Sequence, residues 1–209
     1  SVLWRWIYWL RMTQRMKKTV SRDQRPIAVI GAGSWGSALA LLLSKKGHIV
    51  RLWGFDPKHI GTLQEDRENK RYLPGVTFPE TLFPTSDLKK AVEDSPTICM
   101  VVPSHGYRAV FKNLVNYLEE GSVVISAAKG VENETLQTMS QVMTDVLESS
   151  QTDITAELAV LSGPSFAKEV AEEVPTAITM GCKDPIIAKE LQNIFNTGYF
   201  RVYTSPDII

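Results

Sequence analysis

Cysteine and histidine are scarce in this 209-residue sequence, which has two of the first, Cys99 and Cys182, and three of the second. So few thiols, so far apart, exclude a disulfide-stapled scaffold and a Cys/His zinc module, and no metal set is expected. No run of 18 apolar residues occurs, so no helix of the chain is expected to span a bilayer. Net charge is missing too: 23 basic side chains face 23 acidic ones, which argues against generic nucleic-acid binding. Internal repeats and low-complexity tracts are also absent. What is present, 44% hydrophobic and 22% charged residues, excludes wholesale disorder and suffices for one large domain, or for one domain and the start of another. Together with thiol usage of the reducing kind, these absences make the cytoplasm the expected compartment.

The zero balance conceals an asymmetry. Residues 1–25 hold seven basic groups against Asp23, leaving 16 basic and 22 acidic groups in the remainder. Trp4, Trp6 and Trp9 crowd into the same segment. An interfacial anchor is one reading of it, but no clean apolar core with a small-residue cleavage site marks a secretory signal. The preferred reading is an extension outside the fold, disordered or not native, with residues 26–209 forming the folded domain.

From Pro26 onward, apolar runs alternate with helical periodicity. Strands are expected over 27–30, 49–53, 97–102, 122–127, 158–161, 176–180 and 200–203. Helices are expected over 34–46, 57–67, 87–92, 105–118, 134–147, 164–171 and 185–195, with a loop at Tyr72-Leu73-Pro74-Gly75. The alternation predicts an α/β fold with a doubly wound, mostly parallel sheet.

Candidate chemistry begins at the first strand-to-helix turn, Gly31-Ala32-Gly33-Ser34-Trp35-Gly36. In a G-x-G-x-x-G at this place, Gly31 allows the tight turn, Gly33 lets backbone approach a pyrophosphate, and Gly36 lets the helix pack closely. The helix N-terminus adds free N–H groups and a positive dipole end. Asp56 stands at the distance where an acid holds the ribose of NAD, and equally where a helix N-cap would stand before Pro57. Arg51 and Lys58 could instead meet a 2′-phosphate, so NAD and NADP both stay open.

Two later turns fall where strands end. Val102-Pro103-Ser104-His105 would shape a loop beside a nicotinamide. Ala127-Ala128-Lys129-Gly130 presents a lysine able to pair with a phosphate or polarise a carbonyl, or simply to be solvated. Ser162-Gly163-Pro164-Ser165 opens the next helix and could form an anion nest. Serine hydrolase chemistry is disfavoured because a nucleophile elbow needs a glycine two residues to either side of the serine. His105 reads as a helix-start residue, and His48 and His59 belong to no convincing triad.

These stretches, with Phe166-Ala167-Lys168-Glu169-Val170 and Phe200-Arg201-Val202-Tyr203, occur in an order that resembles bacterial NAD(P)-dependent glycerol-3-phosphate dehydrogenase from about Pro26 to Ile209. The resemblance implies a Rossmann-type domain and reversible reduction of dihydroxyacetone phosphate to sn-glycerol 3-phosphate for phospholipid synthesis. It implies that Gly31, Gly33, Ser34, Trp35, Gly36, Phe55, Tyr72, Lys129 and Ala167 bind the cofactor, NADP or NAD. It further implies that Lys129, Gly163 and Ser165 bind the substrate. Family members commonly place a basic residue or histidine where Phe55 stands; Phe55 can stack on adenine but cannot neutralise a 2′-phosphate. The family's C-terminal helical domain, with its catalytic general acid/base lysine, is absent from this chain, so Lys129 is expected to act in support and the chain alone to show little or no turnover. A homodimer through that absent domain is compatible with this reading. The alternatives are a non-enzymatic dinucleotide-sensing module and a related dehydrogenase of 3-hydroxyacyl thioesters or sugar acids.

Overall fold

The computed structural model describes residues 22–208, and the N-terminal extension lies almost wholly outside them. A short 3-10 turn (Arg22–Gln24) comes first; Arg22 donates to the Pro96 and Gly121 carbonyls and Arg25 pairs with Glu119 at 2.8 Å, so the last residues of the expected extension dock on the domain. Then come β1 (Ile27–Ile30), α1 (Ser34–Lys45), β2 (Val50–Trp53) and α2 (Pro57–Asp66). A hairpin of β3 (Glu68–Asn69) and β4 (Leu73–Thr77) follows, then β5 (Leu82–Thr85), α3 (Leu88–Val92), β6 (Thr97–Met100), α4 (Ser104–Val115) and β7 (Val123–Ser126). The remainder is α5 (Met139–Ser149), β8 (Glu157–Ser162), α6 (Ala167–Ala171), β9 (Thr176–Cys182), α7 (Pro185–Phe195) and β10 (Phe200–Ser205).

Among the described residues, eight strands form one sheet in the order β10-β9-β8-β7-β6-β1-β2-β5. Every pairing is parallel except β8 with β9, which is antiparallel. The central strands read as unbroken apolar runs because both of their faces are covered. Successive β1 residues serve opposite cores. Ile27 and Val29 pack with α1, α2, α6 and α7, whereas Ala28 and Ile30 pack with α3, α4 and α5. All four β1 side chains are fully buried, and burial of an isoleucine or valine contributes about 1.5–3 kcal/mol.

The doubly wound, mostly parallel sheet is as expected, with differences at particular elements. Residues 134–137, expected to be helical, belong to a loop closed by a Val131–Thr138 bridge, with Leu136 left-handed at φ 57°. Thr138 then starts α5 with a reciprocal capping box to Gln141, a stronger start than the apolar periodicity revealed. The helix expected from Pro164 begins only at Ala167. The Tyr72–Gly75 loop is in large part strand β4.

Candidate functional site

Helices α1 and α4 leave the sheet on opposite faces from the adjacent strands β1 and β6. In a doubly wound sheet, that reversal opens a crevice at the carboxyl ends of the strands. Here the crevice is a cleft of about 290 Å³, lined by Trp35, the Val101-Val102-Pro103 turn, Ala127, Ala128, Lys129, Ser165, Phe166 and Ala167. Each segment is the continuation of β1, β6, β7 or β8, the four neighbours at the centre of the sheet.

The glycine turn is built by close approach. Gly31 sits at φ 129°, and a Cβ on it would lie 2.7 Å from the Val101 carbonyl oxygen. A Cβ on Gly36 would lie 1.8 Å from the Gly31 carbonyl oxygen, so the last glycine makes room for the turn's own backbone. A Cβ on Gly33 would meet no atom within 4 Å; the exposed Gly33 therefore faces open space. That combination is the backbone cradle a pyrophosphate requires. The Trp35 indole Nε1 donates to the Ala127 carbonyl at 3.1 Å, tying the start of α1 to the end of β7.

Helix starts tell the same story. Helices α2, α3, α5 and α7 are capped by the side chains of Asp56, Asp87, Thr138 and Asp184. Helices α1, α4 and α6 begin at Gly33, Pro103 and Phe166 with no side-chain cap. These three starts border the cleft, so it is rimmed by helix starts whose first backbone N–H groups no side chain caps.

Lys129 reaches across the cleft, its Nζ donating to the Ser165 carbonyl at 3.2 Å. Ser165 is buried, with its Oγ near the Gly163 carbonyl at 3.5 Å. Trp35, Lys129, Ser165 and Ala167 are thus brought together, whereas Gly163 sits behind them, where a Cβ would come within 3.1–3.2 Å of Ile178 and the Ala177 carbonyl. Phe55 and Tyr72 lie outside this cleft. Phe55 follows the end of β2 and is 85% exposed; Tyr72 stands edge-on to His59 at 5.2 Å, with Arg71 over its ring at 5.0 Å. Asp56 accepts from the Lys58 N–H at 3.0 Å as the α2 cap. Arg51 is committed elsewhere, donating to the Lys90 and Glu93 carbonyls at the end of α3.

Three features were not legible from the sequence. Phe166 lines the cleft while 67% exposed. Asn69, fully buried, donates to the Ala32 carbonyl of the glycine turn at 3.1 Å. The loop after Lys129 is held by Arg108, which grips both oxygens of Glu132 at 2.8 and 2.9 Å and also bonds Gln137 and Asp145. This grip holds the Glu132 carboxyl down at about 2 and pushes the Arg108 guanidinium further above its ordinary range. Phe166 stood in a quoted motif without a role assigned to it, and no sequence motif announces the other two.

A doubly wound sheet with a glycine turn at its switch point, and a lysine facing it across the crevice, defines the dinucleotide-binding class of α/β proteins. Residues 26–188 match the family model described as NAD-dependent glycerol-3-phosphate dehydrogenase N-terminus, and the chain belongs to that family. It is 54% identical over 182 residues to glycerol-3-phosphate dehydrogenase [NAD(P)+] of Desulfotalea psychrophila, covering 87% of this chain and 54% of that one. The crystal structure of glycerol-3-phosphate dehydrogenase from Coxiella burnetii superposes with a TM-score of 0.82 at 35% identity, over 89% of this chain and 55% of that one. A UDP-glucose dehydrogenase from Pyrobaculum islandicum, at 16% identity and a TM-score of 0.68, shares the fold. The chain spans about half the length of the curated relatives it matches. Among the described residues, no helix is long and apolar enough to cross a membrane.

Proposed function

We propose that residues 26–209 work as the cofactor-binding domain of an NAD(P)-dependent glycerol-3-phosphate dehydrogenase. The reaction is reversible reduction of dihydroxyacetone phosphate to sn-glycerol 3-phosphate, a phospholipid precursor. The observation that best supports this reading is the convergence of the open glycine turn, the uncapped start of α1 and Lys129 on one cleft. When bound, the nicotinamide supplies two-electron hydride chemistry.

The chain's own residues bind and orient. Gly31 and Gly36 shape the turn, and the backbone around Gly33, Ser34 and Trp35 meets the pyrophosphate. Phe55 and Tyr72 flank the adenosine end, and Ala167 lines the cofactor. An ammonium carries three donors; one from Lys129 engages the Ser165 carbonyl, leaving two to neutralise cofactor and substrate oxygens. Such neutralisation is needed because a phosphate dianion is costly to desolvate unpaired. Gly163 and Ser165 complete the substrate side. The general acid/base lysine belongs to the family's helical domain, so Lys129 acts in support, by positioning and charge. Dimerisation runs through that same domain, and the compartment is the cytoplasm.

A titration of the chain with NADH and NADPH, followed by tryptophan fluorescence, tests the reading. Saturable quenching that disappears in Trp35→Phe is the expected outcome, with no advantage for NADPH because Phe55 offers its 2′-phosphate no charge. A folded chain that binds neither cofactor would overturn it.

A further inference from the structure

We propose that Asn69 is a positioning residue for the dinucleotide, turning the glycine loop so that the Gly33 N–H faces the pyrophosphate. The proposal rests on the reading that this turn binds a dinucleotide, and it concerns a residue in the β3–β4 hairpin, outside the glycine motif.

The Asn69 side chain is fully buried and uses both ends of its amide. Its Nδ2 donates to the Ala32 carbonyl at 3.1 Å and to the Ser37 Oγ at 2.8 Å. Its Oδ1 accepts from the Tyr72 N–H at 3.2 Å. A carbonyl can only accept and a backbone N–H can only donate, so these partners fix which way the amide points. Asn69 therefore grips the turn at its entry and again one residue past Gly36, within the first turn of α1.

The Ala32 contact governs the ligand side. The peptide between Ala32 and Gly33 is trans, as every described peptide bond is, so its C=O and N–H point in opposite directions in one plane. Holding the carbonyl toward the hairpin aims the Gly33 N–H away from it. Gly33 is exposed with open space beside it. Ala32 itself is only 7% exposed, so its carbonyl needs a protein donor, and Asn69 supplies one. Without that donor the peptide plane would swing to find another partner, carrying the Gly33 N–H off its aim. The hairpin is a firm base for this grip, since Leu73 and Phe78 anchor it in the core beside α1 and α2.

A merely structural asparagine would affect thermal stability alone, whereas a positioning one also separates ligands by whether they carry a pyrophosphate. Asn69→Ala and Asn69→Asp are titrated by calorimetry with ADP-ribose, which has the pyrophosphate, and with adenosine, which lacks it. ADP-ribose binding should weaken about tenfold in Asn69→Ala, the loss of one well-placed hydrogen bond, and further in Asn69→Asp. Adenosine binding should stay within about twofold, since it never reaches the turn. In a second arm the unaltered chain, labelled with nitrogen-15, is titrated with ADP-ribose, and the Gly33 amide resonance should shift downfield. An unchanged ADP-ribose to adenosine ratio in Asn69→Ala overturns the proposal, as does a Gly33 amide that stays still on binding, which also decides the matter if the variants fail to fold. An unaltered chain that binds neither ADP-ribose nor NADH overturns the dinucleotide reading instead.

Discussion

The two loops that face each other across the cleft are held by different physics. The glycine turn is fixed by backbone contacts that only glycines permit and by neutral hydrogen bonds from Asn69 and Trp35. The lysine loop, residues 129–138, rests on a half-exposed ionic cluster in which Arg108 joins Glu132, Gln137 and Asp145, and Thr135 donates to Glu132 at 2.6 Å. Steric fit and buried neutral bonds depend little on pH or salt. Ion pairs near the surface depend on both. The glycine side of the cleft is thus rigid by construction, and the lysine side is conditional.

The sharpest way to break the comparison is Gly36→Ala. Its methyl would collide with the Gly31 carbonyl, and overpacking a rigid turn costs about 3 kcal/mol. Thermal unfolding should show that loss, with dinucleotide binding abolished. Gly33→Ala is the informative partner, because its methyl meets nothing in the protein. Its melting temperature should match that of the unaltered chain while NADH affinity falls; a variant that binds NADH normally would remove Gly33 from the ligand face.

The lysine loop should respond to acid. The Glu132 carboxyl is held at about 2, below the roughly 4.3 of an unfolded glutamate. A carboxylate with a depressed value stabilises the fold fully above the unfolded value and loses that contribution as pH falls through the window from about 4.3 to about 2. Amide protection over residues 130–138, taken relative to the exchange rate of an unfolded chain at the same pH, should therefore fall between pH 5 and about pH 3 while residues 31–37 stay protected. Glu132→Gln should already show fast exchange at neutral pH, and added salt should mimic it in part. Equal protection of both loops at about pH 3 would erase the distinction drawn here.

The smallest effect is expected at Phe55. At 85% exposure, Phe55→Arg should leave stability within about 0.5 kcal/mol, yet raise NADPH affinity relative to NADH by about tenfold through a new charge-assisted bond. Paired titrations measure the ratio, and an unmoved ratio would place the 2′-phosphate elsewhere.

Legibility followed the reach of the forces. Strands β1, β6 and β7 were plain because burial on both faces demands continuous apolar runs. Strand β5 was missed because Pro84 and the half-exposed Phe83 write an edge strand that does not read as one. The hairpin was missed because β3 is two residues long and polar. The reversal of β9 was equally hidden: the connection from β8 carries the five-residue α6, and its residues read like any strand-helix-strand crossover between parallel strands.

The sequence alone determined the doubly wound class, the glycine turn and the lysine at the end of β7, because each is written in contiguous residues whose local geometry follows from their own chemistry. Only the tertiary structure decided that Asn69 grips Ala32 and Ser37 from more than thirty residues away, that Arg108 holds Glu132, and that Arg51 is spent on the carbonyls at the end of α3. Those pairings depend on which surfaces meet when helices and hairpin close over the sheet. A polar side chain carries no mark of its partner until packing removes water and leaves it one donor or acceptor to satisfy.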